Sequence, residues 1–299
     1  MSTPHLLIGA TGQVGAQLAA RLAAAGAGVA ATGRRTPAAM PLNLADARQV
    51  ADVLDQVRPE TVWLAGAYTH VDGCEAHPEV SHQVNVAGPL AVAAWVRAHG
   101  GRLVFFSTDY VFDGSAGPYG EEASPHPLSV YGRDKRSVEL ALLADVPGQT
   151  LVVRTTSVYG FATCGQGFIE RLAESLRAGR PVRLPRDQWG SPTSAANLAE
   201  ATYRLWSAGA TGIWHVAGPD YLTRDAWGRA VAAHFGLNPA LVEGVPTAAL
   251  AQAAPRPLAG GLVSARAEAF LHMNFWDAAT GLAHLAAPVG WDPHSPSRT

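Results

Sequence analysis

Tyr131 and Lys135 stand four residues apart in the segment SVYGRDK (129–135). The chain has 22 basic residues, and every one except Lys135 is arginine. On a helix, residues at this spacing are neighbours. A phenol with a pKa of about 10 is a reluctant acid at neutral pH, and a cation one turn away stabilises the phenolate and lowers that value. A solvated helix face accommodates the same spacing but would accept arginine as readily. Lysine offers a compact point charge with three rotatable donors, whereas the guanidinium fork suits carboxylates and phosphates. The residue type, more than the spacing, points to proton chemistry at a ligand oxygen.

A second constellation lies at the start of the chain. GATGQVG places Gly9, Gly12 and Gly15 between an apolar run (5–9) and a stretch of helical periodicity (13–26). Glycines here let the backbone turn tightly and approach a pyrophosphate, whose charge meets the helix N-terminus. Gly9, Thr11, Gly12, Gln13, Val14 and Gly15 are therefore expected to hold a dinucleotide. At the end of the following strand, an acid would bind the adenosine ribose hydroxyl and a cation would accept a 2′-phosphate. Arg34 and Arg35 occupy that turn, and no Asp or Glu occurs between residues 29 and 45. This predicts NADPH, with NADH as the alternative.

These groups need a frame that brings them together. Apolar runs at 5–9, 28–33, 61–67, 102–108 and 149–156 alternate with helical patterns at 13–26, 46–57, 79–99 and 128–144. That alternation predicts an α/β fold, a Rossmann-like doubly wound parallel sheet with helices on both faces. Ligands on such sheets sit at the carboxyl ends of the strands. Residues 1–156 are read as the dinucleotide-binding domain, with strands near 180–185 and 212–218 returning to it. Residues 157–286 are read mainly as a smaller, interleaved substrate lobe, and 287–299 as a Pro-rich, poorly ordered tail. Ala65, Gly66 and Ala67 end the third strand on the cofactor side, followed by Tyr68 and Thr69.

Composition narrows the function class. Hydrophobic residues at 48% and charged residues at 15% describe a globular protein, and a net charge of −2 gives no general attraction to nucleic acid or acidic membranes. No run of eighteen apolar residues or leader segment is found, so a cytoplasmic protein is expected. Cys74 and Cys164 form no framework and read as reduced thiols. The eleven histidines lack metal-ligand spacing, which predicts no metal.

Several strings carry a resemblance. STDYVFDG (107–114), PYGEE (118–122), YGRDK (131–135), RTTSVYG (154–160), YTHVDGCE (68–75) and DQWGSPTSAANLA (187–199) resemble the extended short-chain dehydrogenase/reductase superfamily. Within it they are most similar to the dTDP-4-dehydrorhamnose reductase family, over nearly the whole chain. The resemblance implies a catalytic trio of Thr108, Tyr131 and Lys135. Thr108 would donate a hydrogen bond to the ketone oxygen, Tyr131 would supply the proton, and Lys135 would bond the nicotinamide ribose. It also implies substrate-side roles for Tyr68, Asn85, Asp109, Tyr110, Val111, Gln188, Pro192 and Thr193, with Asn85 read as holding a water or the active-site backbone. Asp72 and Glu75 read as structural or capping residues.

The implied activity is NADPH-dependent reduction of a nucleotide-linked 4-keto-6-deoxysugar. A homodimer through the sheet-flanking helices is the superfamily's expectation. Departures stand beside the matches: Leu64-Ala65-Gly66-Ala67 replaces Asn-Ala-Ala, Asn43 replaces an Asp, and RPLAGG (256–261) lacks an Asn. A nucleotide-sugar epimerase using the same Tyr and Lys is one alternative. A non-enzymatic dinucleotide-binding subunit, similar to the β subunit of methionine adenosyltransferase, is another.

Overall fold

The apolar runs become parallel strands in the computed structural model, which describes residues 5–34, 40–162, 167–287 and 291–294. The first part of the chain contains β1 (His5–Ile8), α1 (Gln13–Ala24), β2 (Val29–Gly33), β3 (Met40–Pro41), α2 (Ala47–Val57) and β4 (Thr61–Leu64). It continues with α3 (Val71–Ala76), α4 (Pro78–His82), α5 (Gly88–His99), β5 (Arg102–Thr108), α6 (Val130–Asp145) and β6 (Thr150–Thr155). Beyond these lie β7 (Val158–Tyr159), α7 (Phe168–Arg177), β8 (Val182–Pro185), β9 (Trp189–Gly190), β10 (Thr193–Ser194) and α8 (Ala195–Ser207). The last elements are β11 (Gly212–His215), β12 (Leu222–Thr223), α9 (Arg224–His234), β13 (Val242–Val245), α10 (Ala265–Leu271) and α11 (Ala278–Ala283).

Seven strands form one sheet in the order β11-β6-β5-β4-β1-β2-β3, and every neighbouring pair is parallel. Strand residues alternate between two apolar layers, as the two-residue period of a strand requires. Leu6, Ile8, Val62, Leu64, Leu103 and Phe105 pack towards α2, α5 and α6. Leu7, Trp63, Val104 and Phe106 pack towards α1, α8 and α10. Each such buried Leu or Phe contributes about 1.5–3 kcal/mol. The chain leaves β1 in one direction for β2 and β3, then returns to β4 and continues the other way. The topological switch point therefore lies at the carboxyl ends of β1 and β4.

Three details differ from the sequence reading. The helix expected over 79–99 is interrupted by a π turn at Gln83–Ala87. Pro89 has no N–H to give to the carbonyl of Asn85, and the Gly88 N–H reaches back to Gln83 instead. The strand near 180–185 does not return to the central sheet. β8 pairs with β13 in a separate two-stranded sheet, consistent with its partly exposed residues, including the outward Arg183. A strand interior to a doubly covered parallel sheet needs an apolar run. β11 does return, as an edge strand on β6. Only part of the proposed tail, 287 and 291–294, lies within the described residues, and Trp291 packs there against Phe161 and Phe235. Those rings join the lobe core of α7, α9 and α11.

Candidate active site

The glycine turn joins β1 to α1 through contacts that only glycine permits. A Cβ on Gly15 would lie 2.0 Å from the Gly9 carbonyl oxygen, and one on Gly9, whose φ is +88°, would lie 2.5 Å from Gly66 N. Gly12 is the N-cap of α1 and supplies no side-chain cap, so the first-turn N–H groups are left for a ligand. Thr11, Gly12, Gln13 and Val14 line a cleft of about 1420 Å³ at the strand ends, as do Ala65, Gly66 and Ala67. Gly15 lies behind the turn, closing it. Arg34 lines the cleft at the end of β2; Arg35 lies outside the described residues, as does Cys164. Thr155 Oγ1, buried at the end of β6, has no hydrogen-bond partner among the described residues and also borders the cleft. An uncapped helix start, a glycine cradle and an orphan hydroxyl fit a dinucleotide.

Thr108, Tyr131 and Lys135 meet on the same cleft. Thr108 ends β5, and its hydroxyl accepts from Tyr110 N at 3.2 Å and lies 3.3 Å from Asp109 Oδ1. Tyr131 and Lys135 lie on the buried side of α6, whose N-cap Ser129 accepts from Gly132 N. Lys135 is 3% exposed, donates from Nζ to the Phe106 carbonyl at 2.9 Å, and sits 4.6 Å from the centre of the Phe105 ring. Burial pulls its pKa down to about 8, with Glu139, Asp134 and Cys74 acting against that.

The phenol departs from the sequence expectation. Burial pushes the Tyr131 pKa above its ordinary value, reinforced by Cys74, Tyr110 and Asp109 and opposed by a hydrogen bond with Thr108. One donor of the lysine ammonium is engaged by the Phe106 carbonyl, and burial outweighs what a cation one turn away does for the phenolate. Its ring meets Tyr110 edge-on at 5.8 Å between centres.

The substrate-side expectations divide. Tyr68, Asp109, Tyr110 and Gln188 line the cleft, whereas Asn85, Val111, Pro192 and Thr193 do not. Asn85 is buried behind the wall. Its Oδ1 accepts from Tyr68 N at 2.8 Å and its Nδ2 donates to Tyr68 O at 3.0 Å, so it clamps the backbone after β4. Val111 packs with Phe112, Tyr119 and Leu262 in a small satellite core. Thr193 Oγ1 is used up between the Ser191 carbonyl and Gly218 N, and Gly218 packs against the Pro192 carbonyl. Gln188 Nε2 donates to Thr247 Oγ1 and Gln252 Oε1. Asp109 accepts from Thr156 Oγ1 at 2.7 Å and Gly261 N at 3.0 Å, and burial raises its pKa. It ties β5 to the lobe.

Sequence reasoning missed the cations on the lobe side. The cleft is lined by Arg34, Lys135, Arg171, Arg183, Arg224 and Arg256, and among the described residues the only carboxylate lining it is Asp109. Arg224 donates to Ser157 Oγ at 3.4 Å, and burial lowers its pKa, with Arg171 and Arg256 adding to that and Tyr110 and Asp109 opposing. Arg256 forms a bidentate pair with Asp72 at 2.8 and 2.9 Å. Asp72 is thus a strap partner from α3 rather than a cap. Trp189 also lines the cleft, 43% exposed and stacked on Tyr221. In an arginine-rich chain Arg171, Arg183 and Arg224 carry no local signal; for Arg256 the RPLAGG segment, singled out for its missing Asn, was the available hint. No group of His, Cys, Asp and Glu among the described residues could hold a metal ion, and no described helix is long and apolar enough to cross a membrane.

This geometry matches known proteins along its length. A family model described as the RmlD substrate binding domain matches residues 4–289. A dTDP-4-dehydrorhamnose reductase of Mycobacterium tuberculosis is 33% identical over 299 residues, covering 95% of this chain and 93% of that one. The chain belongs to the dTDP-4-dehydrorhamnose reductase family. A dTDP-4-keto-6-deoxy-D-glucose reductase of Streptomyces niveus is 34% identical over 258 residues, covering 86% and 87% of the two chains. A solved dTDP-4-dehydrorhamnose reductase of Bacillus anthracis, in complex with NADP, superposes with a TM-score of 0.86 at 25% identity, covering 95% of this chain and 99% of that one.

Proposed function

We propose that the chain reduces the 4-keto group of a nucleotide-linked 6-deoxysugar with NADPH as reductant. The observation that carries this reading is one shared cleft holding the glycine turn, the Thr108, Tyr131 and Lys135 trio, and a lining of six cations, of which Arg256 is paired with Asp72, against one lining carboxylate. Such a charge excess suits two polyanions, a dinucleotide and a sugar nucleotide diphosphate. Relatives over most of the chain are named as reductases of dTDP-linked ketosugars, which supports reduction over epimerisation.

Bound NADPH supplies the hydride to the carbonyl carbon. The ketone becomes an alcohol when its oxygen takes one proton, which Tyr131 gives; a sugar alkoxide is a stronger base than a phenolate, so the transfer runs downhill even from a buried phenol. Thr108 already accepts from Tyr110 N. Its single hydrogen has a long contact to Asp109 and the Tyr131 phenol as partners, and can turn to the substrate oxygen. Lys135, compact and buried, presents donors to the ribose beside Tyr131. Arg224, flanked by Arg171 and Arg256, anchors the diphosphate on the lobe side. Arg34 takes the 2′-phosphate.

The test is NADPH oxidation against a panel of dTDP-4-keto sugars, with NADH in parallel. Turnover with a 4-keto-6-deoxysugar and a higher kcat/KM for NADPH is the expected result. Equal use of NADH overturns the cofactor preference. Dinucleotide binding without turnover on any ketosugar overturns the enzyme reading in favour of a regulatory binder.

A further inference from the structure

Glu139 is fully buried, one turn after Lys135 on α6. Tyr131, Lys135 and Glu139 therefore form one stripe of that helix against β5. Two bonds tie the stripe to consecutive strand residues: Lys135 Nζ to the Phe106 carbonyl at 2.9 Å, and Ser107 Oγ to Glu139 Oε1 at 2.6 Å. The next strand residue is Thr108. From the other side, Arg154 of β6 donates to both carboxylate oxygens, from Nε at 2.8 Å and from Nη2 at 2.7 Å. Arg136 adds a third cationic contact at 3.0 Å. A buried carboxylate is costly unless paired and hydrogen-bonded, and this one accepts four bonds.

We propose that Glu139 is a positioning residue: anchored by Ser107 and Arg154, it fixes the register of α6 on β5 and holds Lys135 as an ammonium ion. The proposal rests on the reductase reading for its consequence but on geometry for its substance. Other groups facing the ammonium are few. Asp134, on the same helix, is hydrogen-bonded by Ser81 Oγ at 2.5 Å. Cys74 comes from α3, and the Tyr131 phenol lies a turn away. Arg154 stands behind Glu139 and engages it directly. Of the charges that oppose the burial of Lys135, Glu139 acts most strongly.

The single lysine makes the test direct. Protein labelled with [13C]lysine gives one set of lysine side-chain resonances, and its titration reports the ammonium without substrate or turnover. The wild-type midpoint is expected near 8. In Glu139→Gln it is expected to fall by about one pH unit or more, and the alkaline limb of kcat/KM should move acidward with it. A merely structural glutamate would lower resistance to urea and leave the lysine midpoint where it was, which overturns the proposal. Where E139Q alone does not fold, the double variant E139Q/R154M removes the buried pair together, and a smaller downward shift is expected, because the Arg154 cation behind the carboxylate leaves with it. An unshifted midpoint in that folded variant also overturns it. Wild-type protein without turnover would sink the reductase reading and leave the lysine titration to decide the role of Glu139.

Discussion

Lys135 Nζ and the carbonyl oxygen of Phe106 lie 2.9 Å apart, two residues before Thr108, inside a pocket that leaves the lysine 3% exposed. The bond joins helix and strand at the point where Thr108, Tyr131 and Lys135 line one cleft. A charge in such surroundings opposes folding, so its place there asks for a chemical reason.

Replacing the ammonium with a thioether of similar length separates the two effects. Lys135→Met is expected to match or exceed wild-type stability and to lose at least about 100-fold in kcat. Urea unfolding and steady-state turnover check it. A variant with near wild-type kcat would remove Lys135 from the mechanism.

The same lysine sets a pH dependence. Its folded pKa of about 8 lies below the ordinary value of 10.5. Below pH 8 the folded state pays for a buried cation, and that cost fades as pH rises through the window from 8 to 10.5. Relative to Lys135→Met, wild-type stability should rise by about 3 kcal/mol across that window. Activity should run the other way, with kcat/KM falling above about pH 8 as the ammonium is lost. Parallel urea titrations at pH 7 and pH 10 measure the first, and a pH–rate profile the second.

Asn85 satisfies both backbone groups of Tyr68 from behind the cleft wall. Asn85→Ala leaves a buried donor and acceptor unpaired, which should cost about 2 kcal/mol or more. Because Tyr68 lines the cleft, KM for the dinucleotide or the sugar should rise as well. Urea unfolding and initial rates test both parts.

Arg224 sits between Arg171 and Arg256 on the lobe side of the cleft. Arg224→Met should raise KM for the nucleotide sugar by about 10- to 100-fold, the worth of a charge-assisted hydrogen bond, with KM for NADPH unchanged. Substrate titrations at two salt concentrations give the answer; a rise in both KM values would place Arg224 on the dinucleotide instead.

Much of the frame was legible because each signal has a local cause. Buried parallel strands need apolar runs, and the Gly9–Gly15 turn needs residues without a Cβ. That Thr108, Tyr131 and Lys135 share one cleft was legible through their residue types and the strings around them. Other features depend on distant parts of the chain. Whether β8 joins the central sheet or pairs with β13 is decided by tertiary packing. Asn85 was legible as a residue that could hold the active-site backbone, and its bonds to Tyr68 do that, but its place behind the wall rather than among the substrate contacts was not. Arg224 carried no mark, since a cleft-facing arginine has the same neighbours in sequence as a solvated one, and Arg256 was marked only through the Asn missing from its segment. The direction of the Tyr131 shift also escaped, because spacing reveals the nearby cation but not the desolvation around the ring.

Having one lysine, and that one enclosed, also shapes how the folded protein meets the world outside its cleft. Acylating reagents and aldehyde crosslinkers find no exposed lysine amine on its surface. An endoprotease specific for lysine has a single bond to cut, and α6 hides it until the domain opens. The rate of that one cut is therefore a clock for opening, readable on a gel without any probe.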